Sequence, residues 1–249
     1  MREKFIEQLQ TLYRQMTVMG GLCQQAIAVA VKTLEEEEET AEKLEAQVFA
    51  LDGEVDDMER EIETLCTKLL LKQQPVAADL RRITAALKMV TDLERIGDHA
   101  MNIAECAKEI HEKGIVFSPQ AQHELSVLQQ AIRDILHLSV DTFIDSDVEG
   151  ARRVEPLEEI VDTLCDEMKS HHIDRLQQGT CTLNQGFVFN DLLTNFERVA
   201  DHCSNIALAV IELQSDSFDT HEYVRSLKQM KDESFAKYFD EYKRKYTLA

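Results

Sequence analysis

The chain contains a copy of part of itself, and this repeat constrains its fold more than any other feature. Glu94-Arg95-Ile96-Gly97-Asp98-His99 recurs as Glu197-Arg198-Val199-Ala200-Asp201-His202, 103 residues later, and the match runs on from Asn102-Ile103-Ala104 to Asn205-Ile206-Ala207. Upstream, the same ungapped offset maps Asp52, Asp56, Glu59 and Glu63 onto Glu155, Glu159, Asp162 and Asp166, and Leu80 onto Leu183. Self-similarity at a fixed period marks one supersecondary unit used more than once. The chain is therefore expected to fold as two tandem units, residues 1–115 and 116–215, followed by a tail at 216–249.

Each unit reads as three helices. With 8 Gly and 3 Pro in 249 residues, the chain lacks the turn residues a sheet protein needs. Its apolar positions follow the helical period. Helices are expected from about Lys4 to Glu36, from Thr40 to Lys72 and from Pro75 to Glu112, the last stopped by Gly114. Ser118-Pro119 is an N-cap followed by proline in the first turn, and opens the fourth helix. Asp145-Ser146-Asp147 breaks the pattern and caps a fifth. Gln178-Gly179-Thr180 separates the fifth from the sixth, and a shorter helix follows Asp216. The fold class is all-α: two tandem three-helix bundles with a C-terminal helical tail.

Charge excludes several roles. The formal net charge is −20, which opposes binding to nucleic acid, where Lys and Arg must neutralise phosphates. It also opposes anionic membranes, and suits cations or basic protein surfaces. No apolar run approaches the ~20 residues that span a bilayer, and Met1-Arg2-Glu3-Lys4 leads straight into an amphipathic pattern rather than a signal sequence. The cytoplasm is the expected compartment. The six cysteines form no Cys-x-x-Cys and no zinc-finger spacing, so they are expected to be reduced and packed as small hydrophobes.

The acids fall in pairs four residues apart: Asp52 with Asp56, Glu94 with Asp98, Glu155 with Glu159, and Glu197 with Asp201. Such pairs share one helix face. An antiparallel hairpin about residue ~74 brings Asp52 and Asp56 level with Glu94 and Asp98, and one about residue ~177 does the same for the second set. On the third helix, Leu80, Ile83, Leu87, Glu94 and Asp98 fall within roughly 60°, so the acids continue a stripe that begins as core. Two like charges ~4 Å apart at an effective dielectric near 20 repel by about 4 kcal/mol. Raised pKa values, nearby arginines or bound cations can relieve this. The pattern leaves three outcomes open: an oxygen-ligated cation, a water-filled acidic groove, or an acid/base pair. His99 and His202 point about 100° away from the preceding acids, which favours a structural or supporting role. His171 and His172 read as an exposed helix end. Neither His-Glu-x-x-His nor Glu-x-x-His occurs, which argues against zinc proteases and ferritin-like oxidases.

Two helical repeats, each carrying Glu-Arg-x-x-Asp-His with Asn and Ile-Ala beyond, resemble the PhoU family of bacterial phosphate-transport regulators. Gln74-Pro75-Val76-Ala77-Ala78-Asp79-Leu80-Arg81 and Met19-Gly20-Gly21 are similar to that family as well. The resemblance implies paired three-helix bundles with pseudo-twofold symmetry. It also implies metal clusters, of iron, zinc, magnesium or manganese, on Asp52, Asp56, Glu94 and Asp98 in one unit and on Glu155, Glu159, Glu197 and Asp201 in the other. The implied role is a non-enzymatic negative regulator of phosphate uptake and phosphate-starvation signalling. Its expected partners are the ATPase of the phosphate ABC transporter and a sensor histidine kinase, and a homodimer is the expected assembly. The rivals are a helical adaptor without functional metal and a carboxylate-bridged metal enzyme. Gly53 and Pro156, each next to the first acid of its pair, are poor helix-interior residues, which leaves open the local helix geometry and, with it, ligation by Asp52 and Glu155. In the tail, Phe235, Tyr238, Phe239, Tyr242 and Tyr246 recur at helical spacing and are expected to pack back on the bundle.

Overall fold

A computed structural model of the chain describes residues 2–73, 75–214 and 233–248. Every element among them is a helix: α1 (Arg2–Thr33), α2 (Glu38–Gln73), α3 (Ala77–Glu112), α4 (Pro119–Asp145), α5 (Val148–Ala151), α6 (Val154–Gln177), α7 (Leu183–Gln214) and α8 (Glu233–Lys245). The helix anticipated directly after Asp216 begins outside the described residues.

Helix ends follow local chemistry. The Ser118 hydroxyl accepts a hydrogen bond from the amide of Ala121 at 3.2 Å, with Pro119 in the first turn of α4. Gly114 and Gly179 take positive φ after α3 and α6, a conformation glycine adopts without Cβ strain. Asp147 caps a helix as expected, accepting from the Glu149 amide, but that helix is the four-residue α5. Arg152 and Arg153 form a turn before α6. This break resolves the difficulty at Pro156, which falls in the first turn of α6, where its missing N–H has no helical partner to lose. Gly53 lies within an unbroken α2 with open space around it, so flanking helix carries it through.

Helices α1, α2 and α3 pack mutually, as do α4, α6 and α7. The two bundles meet along α3 and α7, with α1 against α4. Like elements thus face like, as a pseudo-twofold axis requires. One continuous core runs through both, built on residues such as Met19, Cys23, Val55, Ile62 and Ile96 in the first unit and Leu128, Val161, Phe189, Phe196 and Cys203 in the second. Cys23, Cys66, Cys165 and Cys203 are buried, Cys106 and Cys181 partly so, and all six are free thiols. The tail helix α8 lies on α6. It buries Tyr242, and Tyr246 just beyond it, while the Arg153 guanidinium sits 5.0 Å over the Tyr238 ring.

The His171–His172 segment is not a solvated helix end. His172 is buried and stacks on Phe189. His171 Nδ1 lies 2.8 Å from Oε1 of Glu124, which is fully buried and also receives Arg175 Nη1 at 3.1 and 2.9 Å. A buried carboxylate needs such partners, and Glu124 on α4 gave no sign in the sequence of lying inside.

Candidate metal centres

Helices α2 and α3 run antiparallel and meet closely at Gly97. A Cβ there would lie 3.0 Å from Asp52 Oδ1 and 3.3 Å from Val55 Cγ1. The absence of a side chain lets α3 approach the Asp52 carboxylate, which faces Asp98. Burial first, and then Asp56 and Asp98, push the Asp52 carboxyl up to about 6. Burial and Asp98 also raise Glu94, with Glu59 and Asp56 adding to the effect. Asp52, Asp56, Glu94 and Asp98 thus lie near enough to repel one another, with Glu59 adding to the effect. Among the described residues, however, the acids whose oxygens converge within 4.8 Å are in the second unit. Arg95 offsets part of the charge, its Nη1 lying 2.8 Å from Asp98 Oδ2 and its Nε 3.5 Å from Glu94 Oε2.

The second unit repeats the α3 half of this arrangement on α7. Arg198 Nη1 lies 2.9 Å from Asp201 Oδ2, as Arg95 does from Asp98. The α6 half differs from the ungapped repeat. Glu159 points to solvent, and the Glu155 carboxylate accepts a hydrogen bond from the Ser204 hydroxyl. It is Glu158 and Asp162 that reach Asp201: one carboxylate oxygen from each of the three lies within 4.8 Å of the others. Burial, then Glu197, Asp201 and Asp166, push the Asp162 carboxyl up to about 6.

The buried face explains the shift. Val48, Leu51, Val55 and Ile62 are buried on α2, and Val154, Leu157, Val161 and Met168 on α6, each 106 residues later. The core fixes the rotation of a helix. Once Leu157 and Val161 take the places of Leu51 and Val55, Glu158 and Asp162 take those of Asp52 and Asp56. The 103-residue offset holds for α3 and α7, and a three-residue slip separates it from the offset of α2 and α6. The Glu158-x-x-x-Asp162 spacing is present in the sequence, and its signal is the apolar offset of 106 residues rather than the acidic one.

The geometry can test whether these groups suit a cation. Asp162 Oδ1 is buried and has no hydrogen-bond partner. A buried oxygen without a donor is costly unless another positive group satisfies it. Together with Glu158 and Asp201 it makes an all-oxygen donor set, suited to hard or borderline cations.

An all-helical scaffold of two like bundles, each carrying a carboxylate group between its second and third long helices, defines the class of protein. The family model described as the PhoU domain matches residues 16–107 and 125–210, and the chain belongs to the PhoU family. It is 27% identical over 213 residues to the phosphate-specific transport system accessory protein PhoU homolog of Clostridium acetobutylicum, covering 85% of this chain and 94% of that one. The crystal structure of PhoU from Pseudomonas aeruginosa superposes with a TM-score of 0.78 at 29% identity, covering 84% of this chain and 98% of that one. The PhoU structure from Streptococcus pneumoniae, at 20% identity and a TM-score of 0.74, shares the fold, covering 86% of this chain and 98% of that one. Among the described residues, no helix is long and apolar enough to cross a membrane.

Proposed function

We propose that this protein is a negative regulator of phosphate uptake and phosphate-starvation signalling, acting as a metal-binding adaptor between a phosphate ABC transporter and its sensor histidine kinase. Membership of a family whose relatives are named as phosphate transport accessory proteins supports the regulatory role. The observation that carries the metal reading is the partnerless buried Asp162 Oδ1 facing Glu158 and Asp201. In the first unit the cation would be held by Asp52, Asp56, Glu94 and Asp98, and in the second by Glu158, Asp162, Asp201 and Glu197. A bound cation would supply positive charge that relieves repulsion between α2 and α3 and between α6 and α7. The protein's own residues orient the oxygens and restrict water at the helix contact. Each centre would tie two long helices together, and partners would bind the scaffold so stiffened.

The test is a deletion strain carrying a phosphate-starvation reporter and grown in excess phosphate. Deletion should raise reporter output, and the wild-type gene should restore repression. A variant with Asp98→Asn, Asp162→Asn and Asp201→Asn should be made at normal abundance yet fail to restore it. An unchanged reporter in the deletion strain would sink the regulatory reading. Full repression by the triple variant would sink the role of metal.

A further inference from the structure

The junction of the two units holds a cleft away from both carboxylate groups. It is lined by α1 and the first turns of α3 from one unit and by the C-terminal ends of α4 and α7 from the other, and its volume is about 470 Å3, within the range of small-molecule sites. Tyr13 and Phe143, one from each unit, line it as a stacked pair with centroids 6.0 Å apart and planes inclined by 22°. Val210 and Leu213 add an aliphatic wall, and Arg81 and Arg82 supply two guanidiniums. Among the described residues that line the cleft, none is Asp or Glu. In a chain of net charge −20, this wall is locally positive.

The acids nearby are engaged or exposed. Asp79 lies 3.8 Å from Arg82 Nη1, too far for a hydrogen bond, and the half-exposed guanidinium keeps donors to offer. Glu212, beside Leu213, is paired with Lys88 at 3.4 Å. Asp145 and Asp147 flank Ser146 and are exposed, and Asp147 caps the Glu149 amide. The last carbonyls of α4 are taken up by the amides of Ser146, at 3.3 Å from Phe143 O, and Asp147, at 2.9 Å from Thr142 O. Ala78, in the first turn of α3, lines the cleft, and Val76 at the N-cap supplies no side-chain acceptor. The positive end of the α3 dipole therefore adds to the field of the arginines.

We propose that this cleft binds an organic phosphate that carries a flat ring, of the nucleotide type. The phosphate lies between Arg81 and Arg82, whose planar forks match its oxygens. The ring lies against Tyr13 and Phe143, beside Val210 and Leu213. Inorganic phosphate would satisfy the arginines alone and leave the apolar wall bare. Arg82 and Glu94 are twelve residues apart on α3, about 18 Å at 1.5 Å per residue, so the site needs no metal at the carboxylates. A ligand held here touches both units at once and fixes their junction.

The experiment uses the full chain in excess chelator, so that no metal can bridge a nucleotide to the carboxylates. Calorimetry reads the binding of AMP, GMP, UMP, ATP, adenosine and inorganic phosphate, and the rise in melting temperature that a ligand of the folded state causes gives a second readout. At least one nucleotide should bind with a Kd on the order of 10–100 µM. Adenosine and inorganic phosphate should each bind at least about tenfold more weakly than that nucleotide. Arg81→Gln with Arg82→Gln should weaken nucleotide binding about tenfold or more, and Tyr13→Leu, which keeps bulk but removes the ring, about three- to tenfold. Lys88→Gln, a charge change outside the cleft, should leave affinity within about twofold. Melts of each ligand-free variant check that it is folded. If no nucleotide binds, or if binding is unchanged in the double-arginine variant, the site is refuted. If inorganic phosphate binds as tightly as every nucleotide, the ring contact is overturned. None of these results bears on the metal or regulatory readings, which rest on other residues.

Discussion

His99 and His202 face each other across the junction of the two units, with ring centroids 5.6 Å apart. They are counterparts in the repeat, and so are their partners: His99 Nδ1 lies 2.8 Å from Asn195 Oδ1, and His202 Nδ1 lies 2.9 Å from Asp92 Oδ1. Each ring reaches from its own unit to the third long helix of the other. The local twofold axis passes between the two imidazoles. The motif histidine therefore joins the units, while the aspartate before it serves its own bundle.

Replacing either histidine with alanine should destabilise the fold by about 2 kcal/mol, since it opens a half-buried gap and removes a cross-unit hydrogen bond. Glutamine should cost less. Bound metal per chain should stay near the wild-type value in the glutamine variants. Urea denaturation and elemental analysis check the two outcomes. Metal loss in His99→Gln with His202→Gln would place the rings inside the centres instead.

The buried Glu124–Arg175 pair predicts an uneven mutational response. Glu124→Ala leaves the Arg175 guanidinium buried at 7% exposure without its counter-ion, and should cost about 3–5 kcal/mol. Glu124→Gln keeps the shape and part of the hydrogen bonding and should cost less. Removing both charges, as Glu124→Leu with Arg175→Met, should recover much of the loss, because a buried pair gains little over apolar packing. Chemical denaturation of the three variants measures this. An additive double variant would contradict it.

The acidic centres give metal-free protein a pH dependence of defined sign. Asp52 and Asp162 titrate near 6 in the folded state against an ordinary value of 3.8. Between those values the folded chain holds more protons than the unfolded chain, so stability falls as pH rises, and the loss is complete above about pH 6. Discounted for solvent exposure, each group contributes about 1 kcal/mol, or roughly 2–4 °C in melting temperature. Melts of chelated wild type should drop between about pH 4 and 6 by more than those of Asp52→Asn with Asp162→Asn. Equal slopes in the two proteins would refute the assignment.

How much of this could be read in advance depended on which residues carried the signal. The ERxxDH repeat set α3 against α7 correctly because it lies on helices whose core contacts and acids share one offset. Ser118, Gly114 and Gly179 marked helix ends because capping is local chemistry. Acids alone do not fix the α6 register, because acids four apart are plentiful in a chain of this charge. Its true phase was held by Leu157 and Val161, which any amphipathic helix could supply. Glu124 was illegible because burial of a single carboxylate depends on an arginine and a histidine from another helix.

If metal sits where Asp162 Oδ1 lacks a partner, Glu158→Gln and Asp162→Asn should each lower metal content in the second centre. Each removes a charge from the group that includes Asp201. Glu159→Gln, on the exposed face, should leave it unchanged. Glu155→Gln should also leave it near normal, because Glu155 already accepts from Ser204 and a glutamine oxygen can accept in its place. The ungapped repeat predicts the reverse, with Glu155 and Glu159 essential and Glu158 and Asp162 dispensable. Elemental analysis of the four single variants, in a chain whose first centre is disabled by Asp52→Asn with Asp98→Asn, decides between the two registers. Loss of metal on Glu159→Gln with retention on Asp162→Asn would mean that charge, and not the buried face, sets the alignment of the two halves.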